Sequence, residues 1–238
     1  SFLNKNISNN ISFKLSSNEN YDSKNSGLSV TDNIGKFNKF SLIYNISNNT
    51  LNNEIYPTQG TLNSLNIEVA PEFFSDVNYY QVSVKNNFYI KQKNSDSNFF
   101  ALSSIDIVDT LNGERLKTVD SLSLGGRNFK GFDFRGIGPK DNFSNYLGGK
   151  KRYTFSIGHT STFLFDKKDN ILFSNYFSVG SLWDNDYKKD DHKLRASFTT
   201  AFDILTPIGP LTLSYSIPLE KEQNDKTNNV SFSIGTTF

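Results

Sequence analysis

Apolar and polar residues alternate with a period of two along most of this chain, the pattern of strands whose two faces meet different surroundings. Phe40, Leu42, Tyr44 and Ile46 are set against Lys39, Ser41 and Asn45. After a YPTQG turn at 56–60 come Leu65, Ile67 and Val69 against Asn66 and Glu68. Tyr80, Val82, Val84, Phe88 and Ile90 then oppose Gln81, Ser83, Lys85 and Asn87, and Ile105 and Ile107 point away from Ser104 and Asp106. Tyr153, Phe155 and Ile157 oppose Thr154, Ser156 and Gly158; Phe173, Phe177 and Val179 oppose Ser174, Ser178 and Gly180. The last three segments are the most regular: Leu194, Ala196, Phe198, Phe202; Leu211, Leu213, Tyr215, Ile217; Val230, Phe232, Ile234, Phe238. With a first strand near 7–16, the pattern predicts roughly ten strands of about ten residues, near the length that crosses a bilayer when tilted. Helical periodicity is absent, and all 6 prolines fall at turns or strand ends, where a missing N–H costs no ladder bond.

A soluble β-sandwich alternates in the same way, so the nature of the two faces decides. The polar face is small and mostly uncharged (Ser, Thr, Asn), while the apolar face continues from strand to strand. Mean hydropathy is -0.49 and apolar content 36%, too little for a sandwich core of this size, yet 22 Phe and 11 Tyr exclude a disordered chain. Both facts fit an antiparallel transmembrane β-barrel, all-β, with water inside and lipid outside. A net charge of +1 gives no electrostatic case for nucleic acid. There is no cysteine for a disulfide, thiolate site or thiol nucleophile. The absence of Met, with Ser1 first and no leader pattern, reads as a segment of a longer protein.

One stretch breaks the rhythm. LGGRNFKGFDFRGIGP at 124–139 carries five glycines among three phenylalanines, which predicts a folded loop packed against something. A phosphate cradle would need a helix to follow, and alternating strand sequence follows instead. The 2 histidines, His159 and His192, lack metal-ligand or triad spacing, and 187–193 (YKKDDHK) reads as a solvated loop. The residues thus describe no enzyme, no metal site and no cofactor.

The ordered motifs resemble the C-terminal barrel of the BamA-type outer-membrane insertase family over nearly the whole chain. YPTQG is similar to the family's Y-P-T-x-G turn, and LGGRNFKGFDFRGIGPKD to its long loop with an R-G-F tip and an I-G-P. LGGK at 147–150, YFSVGSLW at 176–183, the block LRASFTTAFDILTPIGPLTLSYSIPL and the terminal FSIGTTF follow in the family's order. The resemblance implies a barrel of about sixteen strands behind periplasmic POTRA domains, of which this chain would hold the last ten or so strands. It also implies location in the bacterial outer membrane and non-covalent folding and insertion of other barrels. The partners would be outer-membrane lipids, nascent outer-membrane β-barrel proteins, and assembly-complex lipoproteins bound through the POTRA domains. Related readings are a two-partner secretion translocator, a TamA-like factor or the barrel of a patatin-type lipase fusion; a passive porin is further away.

In the family the long loop, here about 110–149, enters the lumen and its tip Arg is held by a Glu and an Asp on the wall. The tip motif here is Lys130, Gly131, Phe132, then Ile137, Gly138 and Pro139, so Lys130 stands at the Arg position. The acid positions hold Gly158 and Ser178. With the whole lock altered, the loop is expected to hold by packing of Phe129, Phe132 and Phe134, with the Lys130 amine extended to water and Arg135 paired to Glu68 or Asp106. The resemblance further implies a lateral seam at the closing strand, through Phe232, Ile234, Gly235 and the terminal Phe238.

Overall fold

The computed structural model describes residues 6–21, 33–93, 95, 97–162, 171–189, 191–206 and 209–235. Its strands are β1 (Ile7–Asn20), β2 (Gly35–Asn49), β3 (Gly60–Ala70), β4 (Tyr79–Lys91), β5 (Ser97–Thr110), β6 (Gly131–Phe132), β7 (Lys151–Ser161), β8 (Ile171–Trp183), β9 (Arg195–Thr206), β10 (Gly209–Glu220), β11 (Thr227–Asn228) and β12 (Val230–Ile234). Ten of them form one antiparallel sheet in the order β1-β2-β3-β4-β5-β7-β8-β9-β10-β12, and β6 pairs with β11 in a small second ladder. Every main-sheet neighbour is a neighbour in sequence once the β5–β7 loop is set aside, the up-and-down connectivity of a barrel wall. The expected first strand runs four residues further than its 7–16 estimate.

The two faces behave as the alternation requires. Outward-facing Phe88, Ile90, Phe99, Ile105, Ile157, Leu213, Tyr215 and Phe232 are exposed, a band no water-soluble surface of this size sustains. Many inward-facing positions carry small hydroxyls that bond directly across the strands. Ser156 meets Ser178 at 2.7 Å, Thr160 meets Ser174 at 2.9 Å and Thr199 meets Ser216 at 2.9 Å, each pair being register partners. Such cross-strand pairs let a wall without a conventional core satisfy its own polar groups.

The apolar core lies inside the curved sheet, between wall and loop. Tyr79 of β4, Val108 of β5 and Leu182 of β8 come from the wall; Leu116, Leu122, Leu124, Phe129, Phe132 and Ile137 come from residues 111–150. This placement explains the low apolar content: one loop serves as the second layer that a sandwich would build from a whole sheet.

Candidate functional site

Residues 111–150 divide into two arms and a tip. The arms run side by side through single bridges at Leu122–Gly149, Leu124–Ile137 and Lys140–Tyr146. The Tyr146 hydroxyl donates to the Leu122 carbonyl at 2.7 Å, and Pro139, buried, accepts from the Leu147 N–H at 3.0 Å. Ile137 is fully buried, and Gly138 lies so close to Leu182 that a Cβ there would come within 2.7 Å of its side chain.

The arms are pinned to the wall by charge. Arg152 on β7 directs Nε and Nη2 at one oxygen of Asp106 on β5, at 3.0 and 2.8 Å, and donates from Nη1 to the Ser123 carbonyl of the loop at 2.7 Å. Lys39 of β2 reaches Asp120 at 2.7 Å, and Lys150 bridges Asp109 and Asp186 at 3.1 and 2.8 Å. A guanidinium that grips a buried carboxylate and a loop carbonyl together holds the loop by its backbone, whatever side chain stands at position 123.

At the tip, Phe129 and Phe132 are buried with ring centroids 5.6 Å apart. Gly180 on β8 makes room for the Phe129 ring, which would lie 2.9 Å from a Cβ at that position. Gly131 has φ 91, a conformation open to glycine, and rests on Ser197 of β9 and Ser216 of β10. Its neighbour Lys130 is only 8% exposed and donates from its amine to the Ser231 hydroxyl of β12 at 2.9 Å. Burial lowers the Lys130 pKa from its ordinary value, Arg127 adds to this, and the carboxylate of Asp203 on β9 opposes it.

Three expectations are corrected by this geometry. Phe134 does not pack the loop: it is 72% exposed. Arg135 does not pair with Glu68 or Asp106, because Tyr79 takes Glu68 at 2.6 Å and Arg152 takes Asp106; its guanidinium lies 5.4 and 5.3 Å from the ring centroids of Phe134 and Tyr146. The Lys130 amine is not left to water alone: it donates to the wall hydroxyl of Ser231, and the residue is mostly buried.

The two altered lock positions face inward but hold nothing of the tip. Ser178 bonds Ser156, and Gly158 is overlain by Tyr176 and Phe100, whose atoms would lie 2.4 and 2.7 Å from a Cβ there. Phe232 and Ile234 face outward on β12, Gly235 (φ 98) ends the strand, and Phe238 lies outside the described residues.

Sequence reading missed Arg152, Asp120 and Ser231 as loop anchors. A signal existed for Arg152: its inward parity matches that of Asp106, and the two are register partners. None existed for Ser231, one inward serine among many.

Below the tip the wall encloses a cavity of about 640 Å³ lined by Lys85, Tyr89, Asn98, Arg127, Thr154 and Asp203, among others. Polar walls and exposed cations make it water-accessible lumen. No cluster of metal-ligating residues occurs among the described residues.

Comparison with known proteins follows the same lines. Residues 3–238 match the Omp85 superfamily domain. The chain is 25% identical over 228 residues to the outer membrane protein assembly factor BamA of Neisseria meningitidis serogroup B, covering 80% of this chain and 28% of that protein. The crystal structure of BamA from Haemophilus ducreyi lacking POTRA domains 1–3 superposes with a TM-score of 0.74 at 25% identity, over 84% of this chain and 43% of that one. The chain thus spans less than half the length of either relative.

Proposed function

The chain belongs to the Omp85 superfamily and forms a wall of a bacterial outer-membrane β-barrel, and we propose that the protein folds and inserts other outer-membrane barrels through a lateral seam at β12. The observation that supports the seam is the place of β12 as the last strand of the sheet, with its edge away from β10 unpaired among the described residues. β12 would close the barrel against the first strand of the whole protein and part from that strand to admit a client. Its free edge then presents N–H and C=O groups on which an incoming strand adds by β-augmentation. In lipid an open edge is expensive, which biases it towards capture of a partner strand. Outward-facing Phe232 and Ile234 would keep the seam in the apolar layer, and Gly235 and Phe238 would form its end.

On this reading the client is a nascent β-barrel protein, and assembly lipoproteins dock on POTRA domains of the whole protein. Depletion of the full-length protein should lower the outer-membrane levels of many unrelated barrels together, measured by quantitative proteomics of membrane fractions. Loss of one secreted cargo alone, with other barrels unchanged, would instead favour a translocator.

A further inference from the structure

Several contacts of the loop tip converge on the short last strand. Lys130 meets Ser231 at 2.9 Å, and Ser231 shares a 2.6 Å hydrogen bond with Ser214, its register partner on β10. The tip's main chain pairs with the residues immediately before β12. Phe132 lies opposite Thr227 and Gly131 opposite Asn228; the Asp133 N–H donates to the Lys226 carbonyl at 2.9 Å and the Lys226 N–H to that of Gly136 at 3.0 Å. Asp203 on β9, which accepts a hydrogen bond from Thr212 on β10, attracts the same lysine. Lys130 thus reaches directly to β12, the strand that β10 holds.

We propose that Lys130 is a positioning residue that ties the lumenal loop to the last strand, with Ser231 as its foothold, so that β12 stays docked on β10 while the tip is seated. Magnitudes favour this. Among the described residues the ladder that holds β12 is five residues long, and each of its neutral bonds contributes little net stability in exchange with water. A charge-assisted bond from so buried a lysine is roughly twice as strong as a neutral one and so is comparable with a substantial part of that ladder. Any event that lifts the tip removes this support and the β6–β11 ladder together, leaving β12 free to part from β10. The consequence for client capture rests on the seam reading; the tie itself does not.

Amide hydrogen exchange on the full-length protein in lipid vesicles tests it. Lys130→Met and Ser231→Ala should each speed exchange of amides 230–234 by about tenfold while β4 and β5 keep their protection. Lys130→Arg, which keeps a cationic donor, should restore protection. Unchanged exchange at 230–234 in Lys130→Met, equal acceleration in β4 and β5, or failure of the arginine to protect would each overturn the tie. Assembly of other barrels is scored in parallel. Faster β12 exchange with normal assembly leaves the tie standing and separates it from the insertase reading.

Discussion

The two arms of the lumenal loop and its tip occupy the same barrel interior but are held by different physics. The arms bury Leu116, Leu122, Leu124, Ile137 and Leu147 against Tyr79, Val108 and Leu182, with wall cations gripping the loop's edges. The tip, from 125 to 136, buries two aromatic rings, and its polar ties to the wall's C-terminal end are main-chain pairs to 226–228 and one lysine. Apolar packing tolerates exchange of one hydrophobic residue for another of similar volume, whereas a buried charge or a backbone ladder tolerates no such exchange. The difference teaches that the tip is the part of the loop whose attachment can be switched, because few and specific contacts hold it.

The footing of the tip offers the largest effect. The segment that pairs with it, 221–229, is fastened to β9 by Arg195, whose Nε and Nη2 meet the two oxygens of Asp225 at 2.9 and 3.1 Å, with side chains 4% and 2% exposed. Asp225→Asn removes one charge and strands the other in the interior, at a cost of about 3–5 kcal/mol. Urea unfolding of the full-length protein in vesicles should show that loss, and protease sensitivity should rise at both 221–229 and 129–136. Sensitivity confined to 221–229 would mean that the tip holds without this footing.

The arms should respond more softly and according to volume. Leu124 is fully buried, so Leu124→Ala is expected to cost about 2–5 kcal/mol in the same measurement. Leu124→Met, which keeps the volume, should cost less than about 1.5 kcal/mol. Equal losses from the two variants would show that the arms demand specific side chains as the tip does, and the contrast between the regions would disappear.

Much of the wall was legible in the sequence because its determinants are local. Period-two alternation at Leu211–Ile217 or Val230–Ile234 gives strand, register parity and outward face together, since successive side chains in a strand must point opposite ways. The glycine-rich stretch likewise announced a packed loop. Legibility ended where partners meet through the fold. Lys130 and Ser231 are 101 residues apart, and only the curvature of the sheet brings them within 2.9 Å. Reading the loop by position-for-position correspondence also failed for Phe134 and Arg135. Aromatic and cationic side chains in a turn leave along directions set by the backbone, which composition does not specify.

The smallest expected effect is the sharpest check on the contrast, because it concerns two phenylalanines five residues apart in the same motif. Phe129 is 3% exposed and sits over Gly180, so Phe129→Ala should cost about 3–5 kcal/mol. Phe134 touches chiefly Arg135, whose guanidinium also has the Tyr146 ring at 5.3 Å and keeps that partner when Phe134 is removed. Phe134→Ala should therefore stay within about 0.5 kcal/mol of the parent in urea unfolding. A loss above about 2 kcal/mol would mean that the outer side of the tip is covered in the full-length barrel. The tip would then be clamped from both sides, and a single lysine could no longer set when it lets go of the last strand.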